Sequence, residues 1–150
     1  MTVRAIFDTL TSDPELNTLG VTQATVFEAQ SVDERPVHHG PFVILKWEES
    51  TIYTQTYTGM QNGIPRAPRV LQVWVHIPLD DTREYDLIDQ ILNRIDDVLD
   101  AMEHVPGLDG YTVTVARKAG RSGNLVDEGF KTITRNAVFG VLYRLETQPV

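Results

Sequence analysis

The stretch from Thr132 to Leu145, near the end of the chain, constrains the fold more than any other. Its apolar residues recur at every second position and alternate with polar ones. The apolar set is Ile133, Ala137, Phe139, Val141, Tyr143 and Leu145, opposite Thr132, Thr134, Asn136 and Arg144. Because the side chains of a strand alternate between two faces, this pattern predicts a long strand buried on one face. Such a face needs a second layer to cover it.

A long amphipathic helix is the predicted cover. Asp81 and Glu84 fit a capping box at its start, and the segment "PGLDG" (106–110) ends it. The apolar residues that keep helical phase between these signals are Ile88, Ile91, Leu92, Ile95, Val98, Leu99 and Met102. The spacing of Val3, Ile6, Phe7 and Leu10 predicts a second, shorter helix at the N-terminus.

Further strands are predicted at "VTQATVFEA" (21–29), "FVILKWEE" (42–49), "VLQVWVHIP" (70–78) and "YTVTVAR" (111–117). Their inward residues are Val43, Leu45, Trp47, Leu71, Val73, Val75, Ile77, Tyr111, Val113 and Val115. His76 falls on an outward face, and residues 120–129 are predicted as a glycine-punctuated loop. Together these elements predict an α+β fold. It consists of a mainly antiparallel sheet of four to five strands, with helices packed on one face and the other face free for a partner.

The chain has 150 residues and no sign of a domain boundary, so we expect a single domain spanning 1–150. One segment of it, residues 50–69, contains no acid and is punctuated by glycine and proline. Loops of this length in compact domains are usually functional or disordered. We therefore predict an arm that orders only against a partner, with contact residues Tyr53, Tyr57, Arg66 and Arg69.

The chain carries a net charge of −8, distributed unevenly. Residues 80–103 hold nine acids against two arginines, whereas the last third is locally basic. This distribution fits a subunit that packs against copies of itself, and it also fits an ordinary monomer. Tight binding to a nucleic-acid backbone is not expected, because that requires clustered cations.

No enzyme site is predicted. The chain has no cysteine, which excludes disulfides and cysteine nucleophiles. His38 and His39 are adjacent and would point to opposite sides of an extended chain, so no metal site is predicted. The helix acids lie opposite the apolar stripe, and Ser122 has no local histidine and aspartate partners. With no signal-peptide core and no apolar run of ~20 residues, we expect a soluble, unexported protein that needs no cofactor and contacts no membrane.

Three segments, in order, carry a family resemblance: "GPFVILKWEES", "LQVWVHIPLDDTREYDLIDQILNRIDDVL" and "VDEGFKTITRNAVFGVLYR". Together they resemble the tail terminator proteins of long, non-contractile-tailed bacteriophages, in particular those infecting actinobacteria. The resemblance covers about 42–144. It implies a structural virion protein that forms a ring, usually a hexamer, at the head-proximal end of the tail tube. Such a ring stops tube polymerisation and provides the surface to which head-completion proteins dock, while phage DNA passes through its lumen.

The resemblance supplies no catalytic residues, so the predicted site consists of contact surfaces. Acid–base pairing between the 80–103 helix and the 117–144 region is expected to guide neighbouring subunits together. The interface residues outside the 50–69 arm are predicted to be Asp96, Asp97, Arg117, Lys118, Arg121, Thr132 and Thr134. Two alternatives remain open. One is a head-completion or head–tail connector ring protein, and the other is a small ligand-binding or regulatory domain unrelated to virions.

Overall fold

The computed structural model describes residues 4–28, 40–48, 69–78, 85–123, 125–129 and 131–145. Within them a seven-stranded sheet carries three helices. The helices are α1 (Arg4–Ser12), α2 (Pro14–Thr18) and α3 (Tyr85–Asp100). The strands are β1 (Val26–Glu28), β2 (Phe42–Glu48), β3 (Arg69–Pro78), β4 (Glu103–Pro106), β5 (Tyr111–Arg121), β6 (Leu125–Asp127) and β7 (Thr132–Leu145).

The predicted long strand, β7, is the centre of the sheet. The strand order is β1-β2-β3-β7-β5-β4, and β6 also pairs with β7. One edge of β7 pairs with β3 from Thr132 to Val141. Its other edge pairs first with β6 and then, from Ala137 onward, with β5. Because β7 holds three strands, its register decides which side chains share a face of the sheet.

One face of the sheet and the helices enclose the core. The inward residues of β2 and β3 are buried as predicted, except that Trp47 is half-buried and packs against the core. All seven apolar residues of the predicted helix stripe are at most 9% exposed. The helix ends at Asp100, and Met102 follows it into the core at 3% exposed. Buried residues of α1, α2 and α3 belong to this same core, so the helices cover one face, which we call the inner face.

The sheet is larger than predicted, and it is mixed. β1 and β2 are parallel, whereas the other paired strands are antiparallel. The strand predicted over 21–29 is reduced to the three residues of β1. β4 was not predicted at all, and β6 lies in the segment predicted as a loop. Strands of three or four residues show too few alternations to be recognised, and they form because a neighbouring strand offers its edge.

A bulge in β5 breaks the predicted alternation. The pairing with β7 shifts between Val113 and Val115 and again between Lys118 and Gly120. Val113 is buried as predicted, but beyond the first shift Ala116 is buried in place of Val115. An extra residue in one strand moves every later side chain to the other face. The expectation that Val115 faces inward was therefore wrong.

Asp13 joins the three described helices. Its carboxylate accepts a hydrogen bond from Leu16 N at 3.0 Å and so caps α2. The same carboxylate accepts from Arg94 of α3 through Nε at 2.9 Å and Nη2 at 2.8 Å. This two-point contact holds the pKa of Asp13 below its usual value and raises that of Arg94. The turn between α1 and α2 is thereby fixed to the middle of the long helix.

No helix in the described ranges is both long and apolar enough to cross a membrane.

Candidate assembly surfaces

The acidic helix and the basic region pair within one chain, whereas the prediction placed their pairing between neighbouring subunits. Asp96 of α3 accepts from Arg121 and lies 3.2 Å from Nζ of Lys118, both on β5. Asp89 of α3 accepts in the same way from Arg135 of β7. The acidic helix and the basic strands are therefore neighbours in the folded monomer. These contacts fix α3 to the inner face of the sheet.

The outward side of α3 remains acidic after this pairing. Five exposed residues recur at spacings of three and four and form one solvent-facing line, which we call the acidic stripe: Asp86, Gln90, Asn93, Asp97 and Asp100. Within the described part of the chain, its three carboxylates form no ion pair. The predicted interface residues Asp96 and Asp97 thus differ, since Asp96 has two cationic partners in its own chain and Asp97 faces solvent.

A groove of about 470 Å³ runs along the acidic stripe, between α2 and α3. Its walls are Glu15 and Thr18 of α2, Leu19 directly after that helix, and Gln90, Asn93, Arg94 and Asp97 of α3. Arg94 is held by Asp13 and by Glu15, whose carboxylate is 3.4 Å from Arg94 Nε. Among the charged groups that line the groove, the carboxylate of Asp97 forms no ion pair with a described residue.

The outer face of the sheet, opposite the helices, holds an aromatic and hydroxyl cluster. His76 stacks on Phe42 with 4.7 Å between ring centroids and a 2° interplanar angle. Its Nδ1 is 2.8 Å from Thr132 Oγ1, and Thr134 Oγ1 donates to the carbonyl of Val75 at 2.9 Å. His76 lies on the outer face as expected, but it is only 3% exposed. Burial lowers the pKa of His76 to about 4 although Asp127 opposes the shift, so the ring is neutral near pH 7.

The other end of the outer face is more open. Lys46 and Arg117 are exposed there, and neither forms an ion pair with a described residue. Gln72 donates to Glu48 and accepts from Trp74 Nε1 at 3.0 Å, which fixes a polar row across β2 and β3. Apolar side chains that are half-buried complete this region: Ile44, Val70, Trp74 and Val138.

Two glycines lie diagonally opposite each other on the adjacent strands β5 and β7 in the open region. Gly140 of β7 is in register with Val70 on one side and Arg117 on the other, and Gly120 of β5 is in register with Val138. Neither has a positive φ. A Cβ added to either would meet none of the described atoms within 4 Å. We call this pair the glycine floor.

The remaining predicted interface residues have different surroundings. Arg69 is 7% exposed, and its guanidinium lies 5.3 Å from the ring centroid of Trp47. Thr132 and Thr134 are on the outer face as expected, but they are buried in the cluster around His76. Tyr53, Tyr57 and Arg66 lie outside the described residues, as does the rest of the 50–69 arm apart from Arg69.

Sequence reasoning missed the groove and the glycine floor. The groove depends on α2, which was not predicted, and the floor depends on the register between β5 and β7. A glycine inside a strongly alternating strand, as at Gly140, was the available signal. His38 and His39 also lie outside the described residues. In the ranges that are described, no group of three or more potential ligand residues is arranged to hold a metal ion.

No family model matches this chain, and no curated protein matches it. Among solved structures, the fold is similar to that of a chain in the "Virion of native gene transfer agent (GTA) particle". The two chains are 15% identical in sequence, with a TM-score of 0.64. The match covers 94% of this chain and 93% of that chain. The two therefore share one fold over nearly their whole lengths.

Proposed function

We propose that this protein is a structural subunit of a phage-like virion that forms a ring on the head-proximal end of the tail tube. The observation that carries the proposal is the fold. Its similarity to a chain of a gene transfer agent virion extends over 94% of this chain, so the whole domain is shared and not one motif. A likeness of this extent supports a common structural role more than a shared local site would.

Within that class, the order of sequence segments favours a tail terminator. The segments "VWVHIP", "YDLIDQILNRI" and "DEGFKTITRNAVF" correspond to the end of β3, helix α3 and the entry to β7. They therefore lie around the centre of the sheet. A ring that stops polymerisation needs contact faces, and the acidic stripe and the open outer face are available for that purpose.

The charge of the chain also suits a ring around DNA. Six copies with a net charge of −8 each would carry a formal charge of −48. Such a ring does not grip phosphates, because tight binding requires clustered cations that release counterions. DNA can then pass through the lumen without specific binding. The proposed partners are other copies of this chain, the tail tube protein and the head-completion proteins.

Deleting the gene from the phage that encodes it tests the proposal. We expect tail tubes that exceed the normal length and heads that remain unjoined. A head-completion protein would give tails of normal length, capped but without heads, and that result would replace the terminator role with the connector role. Normal tails joined to normal heads would contradict both.

The mass of the purified protein tests the remaining alternative. A ligand-binding or regulatory domain should stay near 16.9 kDa at every concentration. A ring subunit should show larger species as the concentration rises, or on addition of tail-tube protein.

A further inference from the structure

We infer that neighbouring subunits join by opposite faces, with the acidic stripe of one copy docked over the glycine floor of the next. The partner is a second copy of this chain. The inference rests on the proposed ring and adds to it the two surfaces that meet. Asp89 and Asp96 are not part of the proposed interface, because both are paired with cations of their own chain.

The first argument is the charge that remains after intrachain pairing. Asp86, Asp97 and Asp100 on the helix layer form no ion pair with a described residue, and neither do Lys46 and Arg117 on the outer face. The helix side therefore presents three carboxylates, and the open region of the outer face presents two cations beside Glu48, whose carboxylate is hydrogen-bonded to Gln72. Complementary charges of this kind guide association and set the relative position of two surfaces.

The second argument is the glycine floor. Glycine inside a strand weakens it, and it often marks a place where another backbone approaches closely. Gly120 directly follows the second register shift of β5, where a bulge favours glycine. Gly140 lies in a regular part of β7 with neither a positive φ nor a close neighbour among the described atoms, so nothing in that part of the monomer requires glycine there. The absence of two side chains instead leaves a shallow depression beside Arg117 and Val138, into which a helix can sink.

The third argument is geometric. The acidic stripe faces away from the sheet on the helix side, and the glycine floor faces away from the helices. An interface between two different faces is heterologous, so each copy can bind one neighbour on each side. Repetition of such a contact closes into a ring when the rotation between subunits permits it. A contact between two identical faces would stop at a dimer.

Filling the glycine floor is the direct test. Gly140→Leu adds a side chain at a position where the described atoms leave space, so we expect the monomer to keep its circular dichroism spectrum and its Tm. Assembly followed by light scattering, alone and with the tail-tube protein of the same genome, should need at least about tenfold more protein. Gly123→Leu is the matched control, because a Cβ there also meets no described atom and Gly123 is outside the sheet. It should assemble normally.

Cysteine cross-linking provides a second test that does not depend on the folding of the glycine variant. The chain has no cysteine of its own. In Gln90→Cys/Val138→Cys, which keeps the charges of both surfaces, the helix layer and the sheet separate the two positions within one chain. That separation exceeds the ~7 Å between Cα atoms that a disulfide tolerates, so a bond between them must join two chains. Oxidation should give a ladder of linked oligomers. Gln90→Cys/Val126→Cys, whose second site is exposed but lies outside the glycine floor, should give none.

The outcomes separate this inference from the proposed function. A ladder from the 90/138 pair, together with impaired assembly of Gly140→Leu, supports the inference. Rings that form normally with leucine at position 140, and that show no 90/138 cross-link, contradict the inference and leave the proposed ring intact. A protein that remains a monomer under all conditions, including on tail tubes, contradicts the proposed function and the inference with it.

Discussion

His76 is a titratable residue whose charge state is set by burial. It is 3% exposed, with its ring stacked on Phe42 and its Nδ1 beside the hydroxyl of Thr132. Burial penalises the charged imidazolium, and the carboxylate of Asp127 only partly offsets this effect. The imidazole is therefore a neutral structural group of the outer face.

This environment predicts a loss of stability in mild acid. The unfolded chain takes up a proton at His76 near pH 6.5, whereas the folded chain does so only near pH 4. The contribution of His76 is thus present above pH 6.5 and lost as the pH falls toward 4, by on the order of 3 kcal/mol. Urea unfolding between pH 7 and pH 4 should show a smaller loss for His76→Gln than for the wild type. Equal losses would mean that His76 titrates normally.

Asp13 predicts a difference between two substitutions at one position. Asparagine retains an oxygen that can cap α2, whereas alanine removes both the cap and the contact with Arg94. Asp13→Ala should therefore lower the free energy of unfolding by about 1 kcal/mol more than Asp13→Asn. Chemical unfolding at pH 7 measures the free energy of unfolding of both variants. The pKa of Asp13 is lowered in the folded chain, so its ionised carboxylate stabilises the fold. The difference in unfolding free energy between the wild type and each variant should therefore shrink as the pH falls below 3.8.

At the scale of elements, α3 has two acidic sides with different roles. Asp96 pairs with Arg121 and Lys118 in its own chain, whereas the adjacent Asp97 faces solvent. Asp96→Asn should lower the Tm of the monomer, and Asp97→Asn should leave it unchanged. For assembly we expect the opposite: Asp97→Asn should weaken assembly more than Asp96→Asn does, because Asp97 belongs to the acidic stripe. Thermal unfolding of dilute protein and light scattering of concentrated protein separate the two effects, and equal Tm changes would contradict this division.

The elements with many turns or alternations were predictable from sequence. Helix α3 and strand β3 bury the residues that their periodicity indicated, and so does β2 apart from half-buried Trp47. In β7, Ile133, Ala137, Phe139 and Val141 are buried, whereas Tyr143 is half-buried. The bulge near Thr114, the short strands β4 and β6, and helix α2 were not predictable, because pairing and capping by other parts of the chain produce them. The arm at 50–69 stays a prediction, since only Arg69 of its contact residues is described.

At the scale of the whole molecule, the helices give the subunit two unlike faces. Their apolar sides cover the inner face, which leaves acids on the helix side and a partly apolar, partly cationic surface on the outer face. The sequence indicated that one sheet face would be free for a partner. It did not indicate which charges would be neutralised internally, because that depends on the register that places Arg121 and Arg135 beside α3.

Tube length in a purified system tests the central claim most directly. Tail-tube protein from the same genome would be polymerised with and without this chain, and tube lengths and ends would be measured by negative-stain electron microscopy. The proposed role predicts shorter tubes as the chain is added, each with a ring of extra density at one end. Unchanged lengths and bare ends at a saturating concentration of the chain would contradict it.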